Sequence, residues 1–219
     1  MPQITRISPQ KKKGFFNVFI DGKFAFGLDS ETLVKEKIIE DKTLSEEDLT
    51  RLKETSIYSK LLNSALNFLS FRPRSKREVS KNLQSKVYKI FGRGDPDLAL
   101  RLENRVISKV ENLGYLNDGE FARWWVEQRT LSRKPRGPAL IKRELFSKGV
   151  ERGLIEDVLR GAKKEDSADF LEPLLAKKGR LLKNKPLFEQ RRKLCDFLLR
   201  RGFDFEDVRA AVDKYLKRA

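Results

Sequence analysis

Histidine is absent from the 219 residues, and cysteine occurs only once, at Cys195. Without histidine, the chain cannot use imidazole as a general base, in a nucleophilic triad or as a zinc ligand. A single cysteine forms no intrachain disulfide and no cysteine-rich metal centre, which favours a reducing compartment. Apolar runs near the roughly 20 residues of a membrane span are also missing, and residues 1–4 resemble no signal peptide. These absences predict a cytoplasmic protein without metal or cofactor.

Acidic residues are outnumbered by basic ones, but only in part of the chain. Lys and Arg number 48 and Asp and Glu 32, which gives a net charge of +16. Residues 1–54 contain ten of each sign, whereas residues 55–116, 117–162 and 163–219 carry +7, +3 and +6. A basic surface without a function would rarely leave one end of the chain neutral. The distribution therefore favours a polyanionic partner of the segment after residue 54.

The neutral N-terminal segment has the pattern of a small antiparallel sheet. Residues 15–20 and 23–28 are rich in aromatic and β-branched side chains, and residues 21–22 between them are Asp-Gly. Asp-Gly between two such runs is the strongest short-range hairpin signal, because both turn residues need positive φ. Residues 4–7 alternate between apolar and polar and add a third strand. We read this segment as a structural or docking domain.

Helices are expected to pack against this sheet, because so small a sheet is marginal alone. One helix is predicted from Ser30 to about Glu40, and Ser45 resembles the cap of another. The aromatic side chains are expected to serve packing rather than base stacking, since only Lys23 is interleaved with them. The side chains predicted on the packing face are Phe16, Val18 and Ile20.

Helical periodicity runs from residue 55 to the end of the sequence. Gly149 and Gly202 each end a middle helix, and apolar residues follow both glycines at the same offsets. This recurrence favours tandem repeats over one irregular bundle. We therefore predict a mainly α fold: three tandem three-helix units in an elongated array, behind a small N-terminal β meander with helices. The predicted domains are the leader 1–54, unit 1 (55–116), unit 2 (117–162) and unit 3 (163–219).

Cations cluster at the break before each middle helix and on that helix. The first turn of a helix already carries a partial positive charge, so cations placed there cost some stability. Their presence favours contact with phosphates or an acidic partner, although cations at the end of the preceding helix need no such explanation. The candidate nucleic-acid- and partner-binding residues are Arg72, Arg74, Lys76, Arg77, Lys81, Arg129, Arg133, Lys134, Arg136, Lys142, Arg143, Arg191, Arg192 and Lys193.

Three segments resemble the RecX family, the small basic bacterial proteins that modulate the RecA recombinase. They are residues 65–79 (ALNFLSFRPRSKREV), 114–129 (GYLNDGEFARWWVEQR) and 142–150 (KRELFSKGV). Each segment alone has low specificity, but their order and spacing together are specific. Two departures are an apparent insertion at 92–100 and the lack of a glycine after the middle helix of unit 1.

The resemblance implies three tandem three-helix units and a function in recombination, DNA repair and the SOS response. It implies binding to the RecA filament and, without sequence specificity, to single- and double-stranded DNA. It further implies inhibition of strand exchange and of ATP hydrolysis, with no catalysis by the protein itself. A monomer is expected.

Two other classes of function remain open from the residues alone. A transcriptional regulator of helix-turn-helix type would read bases with a middle helix, where Asn82 and Gln84 are the few side chains suited to it. An enzyme would have only carboxylates and lysines available, and we find no catalytic constellation. Of the adjacent Trp124 and Trp125, Trp125 is expected to be buried, and Cys195 is expected to be a core thiol.

Overall fold

The computed structural model describes residues 1–91, 95–162 and 167–218, and this part of the chain is about 65% helical. It divides into two compact bodies: Met1–Phe71 with Val79–Tyr115, and Arg72–Glu78 with Leu116–Ala219. None of its helices is both long and apolar enough to cross a membrane. Part of the insertion expected at 92–100, residues 92–94, lies outside the described residues.

The first body opens with a three-stranded antiparallel sheet in the order β1-β2-β3. The strands are β1 (Ile4–Pro9), β2 (Phe15–Ile20) and β3 (Lys23–Asp29). The predicted meander is thus confirmed, and its hairpin turn has φ of +49° at Asp21 and +78° at Gly22. Of the face predicted to pack, Val18 and Ile20 are buried and Phe16 is partly buried against them.

The helices that follow differ from the prediction in length. Helix α1 (Ser30–Lys35) has only six residues instead of about eleven, because the chain turns at Lys37, where φ is +49°. The residues that follow α1 leave the helix in order to pack, since Ile38 enters the core beside the sheet. Ser45 caps α2 (Glu46–Ser70) as expected, accepting a hydrogen bond from the Asp48 amide at 3.0 Å.

Helix α2 is longer than any helix expected here. It runs 25 residues without a break and crosses the predicted domain boundary at 54/55. Its first half packs on the sheet through Leu52, and its second half buries Leu61 and Ala65. The sequence pattern contains both apolar segments but no residue that would end the helix between them, so our expectation of separate helices was wrong. The four-domain division itself stays a prediction.

The remaining helices of unit 1 are α3 (Lys76–Phe91) and α4 (Pro96–Asn112). Gly92 directly follows α3, so the expectation that no glycine follows this middle helix was wrong, although Gly92 itself lies outside the described residues. Polar contacts join α3 to α4. The buried Glu103 on α4 accepts hydrogen bonds from Ser80 at 2.5 Å and from Gln84 at 3.3 Å. Asp95 caps α4, with Pro96 in its first turn.

Unit 2 consists of α5 (Asp118–Thr130), α6 (Pro138–Ser147) and α7 (Arg152–Ala162). Asn117, where unit 2 is predicted to begin, caps α5 by accepting hydrogen bonds from the amides of Gly119 and Glu120. Its core is a single cluster on the inner faces of the three helices. The largest buried members are Phe121, Trp125, Ile141, Leu145 and Ile155.

Unit 3 repeats this arrangement with α8 (Ser167–Arg180), α9 (Leu187–Leu199) and α10 (Phe205–Arg218). Gly149 and Gly202 have φ of +81° and +82°, so the turns after α6 and α9 share one left-handed conformation. Pro173, expected to kink or start the first helix, lies inside α8 and does not start it. Cys195 packs against the unit 3 core as expected, although it is half-buried rather than inside the core.

Candidate nucleic-acid interface

The basic break before α3 is built into the second body. Ser75 is fully buried and forms a capping box with Glu78: the Glu78 amide donates to Ser75 Oγ at 3.2 Å and the Ser75 amide donates to Glu78 Oε2 at 3.4 Å. The same Ser75 hydroxyl donates to the Lys148 carbonyl at 2.7 Å, and the Lys76 amide donates to Asp118 at 2.7 Å. This segment is therefore fixed by unit 2 rather than free in solution.

Glu78 neutralises two cations at this break. Both terminal nitrogens of Arg72 donate hydrogen bonds to the Glu78 carboxylate, at 3.1 and 3.3 Å. Lys148 Nζ lies 2.7 Å from Oε1 of the same carboxylate. Burial would raise the pKa of Glu78, but the hydrogen bonds from Arg72 and Lys148 outweigh it and hold the pKa below its ordinary value. Burial, together with the charge of Arg72, lowers the pKa of Arg74. Arg72 is thus an internal ion-pair residue.

A second carboxylate, Glu144 on α6, organises the cations around Trp125. It accepts from Trp125 Nε1 at 2.8 Å and Arg129 Nε at 2.8 Å, and it pairs with Arg136. Trp125 is buried, as predicted, and the cations of Arg129 and Lys148 lie 4.1 and 4.4 Å from the centre of its ring. Cation–π contacts of this kind stabilise a desolvated aromatic ring.

Three further predicted residues form ion pairs nearer the surface. Lys142 lies 3.0 Å from Glu156, and Lys193 lies 3.4 Å from Glu189. Arg191 donates to both oxygens of Asp213, at 2.7 and 3.1 Å, which raises its pKa and lowers that of Asp213. Exposed pairs of this kind contribute little to stability and leave the cation near solvent.

The other predicted residues divide into two groups. Arg74 and Lys76 make interactions of their own and are half-buried and exposed, respectively. The second group is exposed and makes no side-chain hydrogen bond or ion pair within the described ranges. It consists of Arg77, Lys81, Arg133, Lys134, Arg143 and Arg192.

Sequence profiles of three families match separate parts of this chain. The RecX N-terminal domain matches residues 2–45, the second three-helix domain of RecX matches 117–159 and the third matches 171–212. Regulatory protein RecX of Bacillus subtilis is 36% identical over 98% of this chain and 77% of its own length. The chain belongs to the RecX family. The RecX of Listeria monocytogenes is 32% identical over 96% of this chain and 74% of its own.

Solved RecX structures have the same fold. A crystal structure of regulatory protein RecX superposes with a TM-score of 0.72 at 22% identity, covering 97% of this chain and all of that one. RecX from Lactobacillus salivarius superposes with a TM-score of 0.63 at 24% identity, covering 74% of this chain and 98% of its own. Repeated three-helix domains behind a small N-terminal sheet are therefore the fold of this RecX chain.

Sequence analysis missed the acidic partners and Lys148 in this RecX chain. A usable signal was present: Glu78 is the only acidic residue between positions 71 and 89, and Glu144 is the only one between 129 and 148. A lone carboxylate within a basic segment is placed to neutralise the cations that pack around it. That signal would have separated internal from exposed cations before the structure was known.

Of the two amides considered for base reading on α3, Gln84 is engaged in hydrogen bonds and Asn82 is partly withdrawn from solvent. Gln84 donates its side-chain nitrogen to Ser80 and to Glu103, at 3.1 and 3.3 Å. Asn82 is half-buried, and its side-chain oxygen is out of contact with solvent. Direct base readout needs such groups free in the major groove. Helix α3 is thus poorly suited to be a sequence-reading helix.

Proposed function

We propose that this protein binds a RecA recombinase filament and DNA and lowers the filament's ATP hydrolysis and strand exchange. Membership of a family of regulatory proteins supports the regulatory part of this proposal. In the absence of imidazole, and with Glu78 and Glu144 engaged in ion pairs and the buried Glu103 in hydrogen bonds, we propose that it acts by binding and carries out no reaction itself. We further propose that it acts as a monomer in the cytoplasm.

The observation that supports DNA contact is the set of exposed cations without an acidic partner in the described residues. Each middle helix carries at least one: Arg77 and Lys81 on α3, Arg143 on α6 and Arg192 on α9. Cations already paired must lose a partner to bind phosphate, whereas these four give up only water and counterions. Arginine also presents a planar fork that matches phosphate oxygens.

The engagement of Gln84 and the burial of the Asn82 side-chain oxygen on α3 favour binding that ignores sequence. Contacts to phosphates position a protein on nucleic acid without carrying sequence information. A filament of recombinase on DNA offers such phosphates along its whole length. Sequence-blind binding is therefore the mode that this surface favours, and it weighs against the alternative of a transcriptional regulator.

The decisive experiment adds the protein to a cognate RecA on single-stranded DNA and follows ATP hydrolysis and strand exchange. We expect both rates to fall as the protein is added. A variant with Arg77, Lys81, Arg143 and Arg192 all changed to Gln is expected to inhibit much less. The matched control changes the exposed Lys11, Lys13, Lys23 and Lys35 to Gln, which removes the same charge from the leader. Unchanged rates at excess wild-type protein would refute the proposal.

A further inference from the structure

A groove between α9 and α10 of unit 3 combines exposed aromatic rings with arginines. Its volume is about 450 Å³. Phe188 and Phe205, at its edge, are 75% and 61% exposed, although rings of this size are usually buried in a folded protein. Leu199 and Val208 complete its apolar part. The two rings are therefore available to a ligand, in contrast to Phe197, which packs on the unit 3 core.

The groove is cationic. Arg191, Arg192 and Arg209 line it, against a single acidic residue, Asp196. Arg191 is held in place by Asp213, whereas Arg192 and Arg209 are exposed and make no ion pair within the described ranges. Two guanidinium groups therefore stand beside the apolar part of the groove outside any ion pair of the described residues, although the charge of Arg209 helps to lower the pKa of Asp213.

The spacing along α9 places these groups on one face. Phe188, Arg192, Cys195 and Leu199 follow one another at intervals of four, three and four residues, which is one side of a helix. From Phe188 to Leu199 the helix rises about 17 Å. Phe205 begins α10, just after the turn that follows Leu199. The rings of Phe188 and Phe205 therefore lie toward opposite ends of the groove. Arg192 and Arg209 lie between them.

We propose that this groove binds single-stranded nucleic acid, with bases stacking on Phe188 and Phe205 and phosphates on Arg192 and Arg209. The inference extends the proposed DNA binding by naming a strand type and a place. Stacking on aromatic side chains with cations along the backbone is how proteins hold single strands regardless of sequence. A duplex keeps its bases stacked on each other, so it gains nothing from the two rings. An acidic peptide would use the arginines but has no general use for two exposed rings.

Equilibrium binding of the full chain to a fluorescent oligothymidine and to a duplex of equal length tests the rings. Phe188→Ala and Phe205→Ala are each expected to weaken oligothymidine binding at least about fivefold and to change duplex binding less than twofold. Phe146→Ala removes a ring that is 66% exposed on α6, outside the groove, and is the matched control. Equal losses for the strand and the duplex, or for the control, would overturn the inference.

Cys195 gives a test that needs no substitution. It lines the groove and is the only cysteine of the chain, so alkylation by a maleimide reports on this place alone. Saturating oligothymidine is expected to slow the alkylation severalfold, and equimolar duplex to slow it less. Polyglutamate serves as the acidic-peptide probe. If polyglutamate protects Cys195 while oligothymidine does not, the groove is a protein-docking site and the inference is wrong.

These measurements separate this inference from the proposed function. They use bare nucleic acid, whereas the proposed function is read from a recombinase filament. If the wild-type protein left the recombinase unaffected while both Phe variants lost oligothymidine binding, the regulatory proposal would fail and the groove would stand. If inhibition persisted while the Phe variants bound oligothymidine normally, only the groove would be refuted.

Discussion

Glu144 determines how the cations of α5 and α6 are divided between the interior and the surface. Its two oxygens accept from Trp125 and Arg129 and pair with Arg136, and its side chain is only 19% exposed. Arg143, the adjacent residue, points away from this cluster and is exposed. The same short basic segment therefore supplies cations that hold the fold together and a cation that is free to bind.

We expect Glu144→Gln to destabilise the protein by about 1–3 kcal/mol, because partly buried donors lose a charged acceptor. An amide oxygen can still accept from Trp125, so the loss falls on Arg129 and Arg136. Urea unfolding followed by tryptophan fluorescence measures the change. Glu127→Gln, at an exposed position on α5, removes the same charge and is the control. Equal stability of the two variants would contradict an internal role for Glu144.

The pH dependence of stability should reveal Glu78. Its pKa lies below the ordinary 4.5, because the hydrogen bonds from Arg72 and Lys148 outweigh the opposite effect of burial. A carboxyl whose pKa is depressed by folding stabilises the folded state above its unfolded pKa, and that contribution is lost as pH falls through the folded pKa. Glu78→Gln should therefore be less stable than the wild type at pH 7.

The difference between Glu78→Gln and the wild type should shrink as pH falls below the ordinary value of 4.5 and through the lower folded-state pKa of Glu78, where Glu78 itself becomes protonated. Urea unfolding across this range provides the measurement. Asp97→Asn, at an exposed carboxylate in the first turn of α4 with no ion pair in the described residues, is the control. A stability difference that is the same at pH 7 and pH 3 would show that Glu78 acts by shape and not by charge.

At the scale of elements, the N-terminus of α6 is capped by the turn between α9 and α10. Gly137 at the cap has no side chain to accept a hydrogen bond, yet its own amide donates to the Arg201 carbonyl at 2.8 Å. The Ala139 amide donates to the Gly202 carbonyl at 3.0 Å. Two amides that a lone helix would leave to water are satisfied by the next unit. Adjacent repeats are thus joined through backbone groups.

Gly202→Ala is expected to destabilise the protein by at least about 1–2 kcal/mol, the cost of a left-handed conformation for a residue with a Cβ. Here φ is +82°, and the new Cβ would lie 2.6 Å from the Leu140 amide nitrogen, so α6 must also shift. Gly161→Ala on α7, where the Cβ meets nothing within 4 Å, should be neutral or stabilising. Thermal unfolding measures the stability of both variants. A Gly202→Ala variant as stable as the wild type would contradict the proposed capping.

Elements with strong local signals were predictable, and elements defined by distant contacts were not. The Asp21-Gly22 turn and the caps at Ser45, Ser75 and Asn117 follow from local chemistry, and the structure has each of them. Helix α1 ends early because Ile38 packs against the sheet, and no residue near Ile38 in the sequence indicates that contact. Ion-pair partners that are distant in sequence were equally hard to predict, as Asp213 is for Arg191. The binding role of the candidate cations stays a prediction.

At the scale of the whole molecule, the repeat, the family and the neutral leader could be predicted, because each depends on patterns summed over many residues. The elongated order of the units stays a prediction. The net charge of each segment could not show that at least six of the fourteen candidate cations form ion pairs, either inside the fold or at its surface. These are Arg72, Arg129, Arg136, Lys142, Arg191 and Lys193. The six candidates that are exposed and make no ion pair within the described ranges set the expected strength of DNA binding.

Binding to duplex DNA should therefore depend on salt in proportion to the exposed cations and not to the net charge of +16. Each phosphate contact contributes about −0.9 to the slope of log K against log salt, so engaging most of the six unpaired candidates predicts a slope of about −3 to −5. Binding isotherms at several salt concentrations on two unrelated duplex sequences measure it. Arg143→Gln should reduce the slope by about one on both sequences. Arg136→Gln, at a paired cation, should lower the stability of the protein and leave the slope nearly unchanged. Tight binding to one sequence with a slope near zero would mean that base contacts, and not phosphates, dominate.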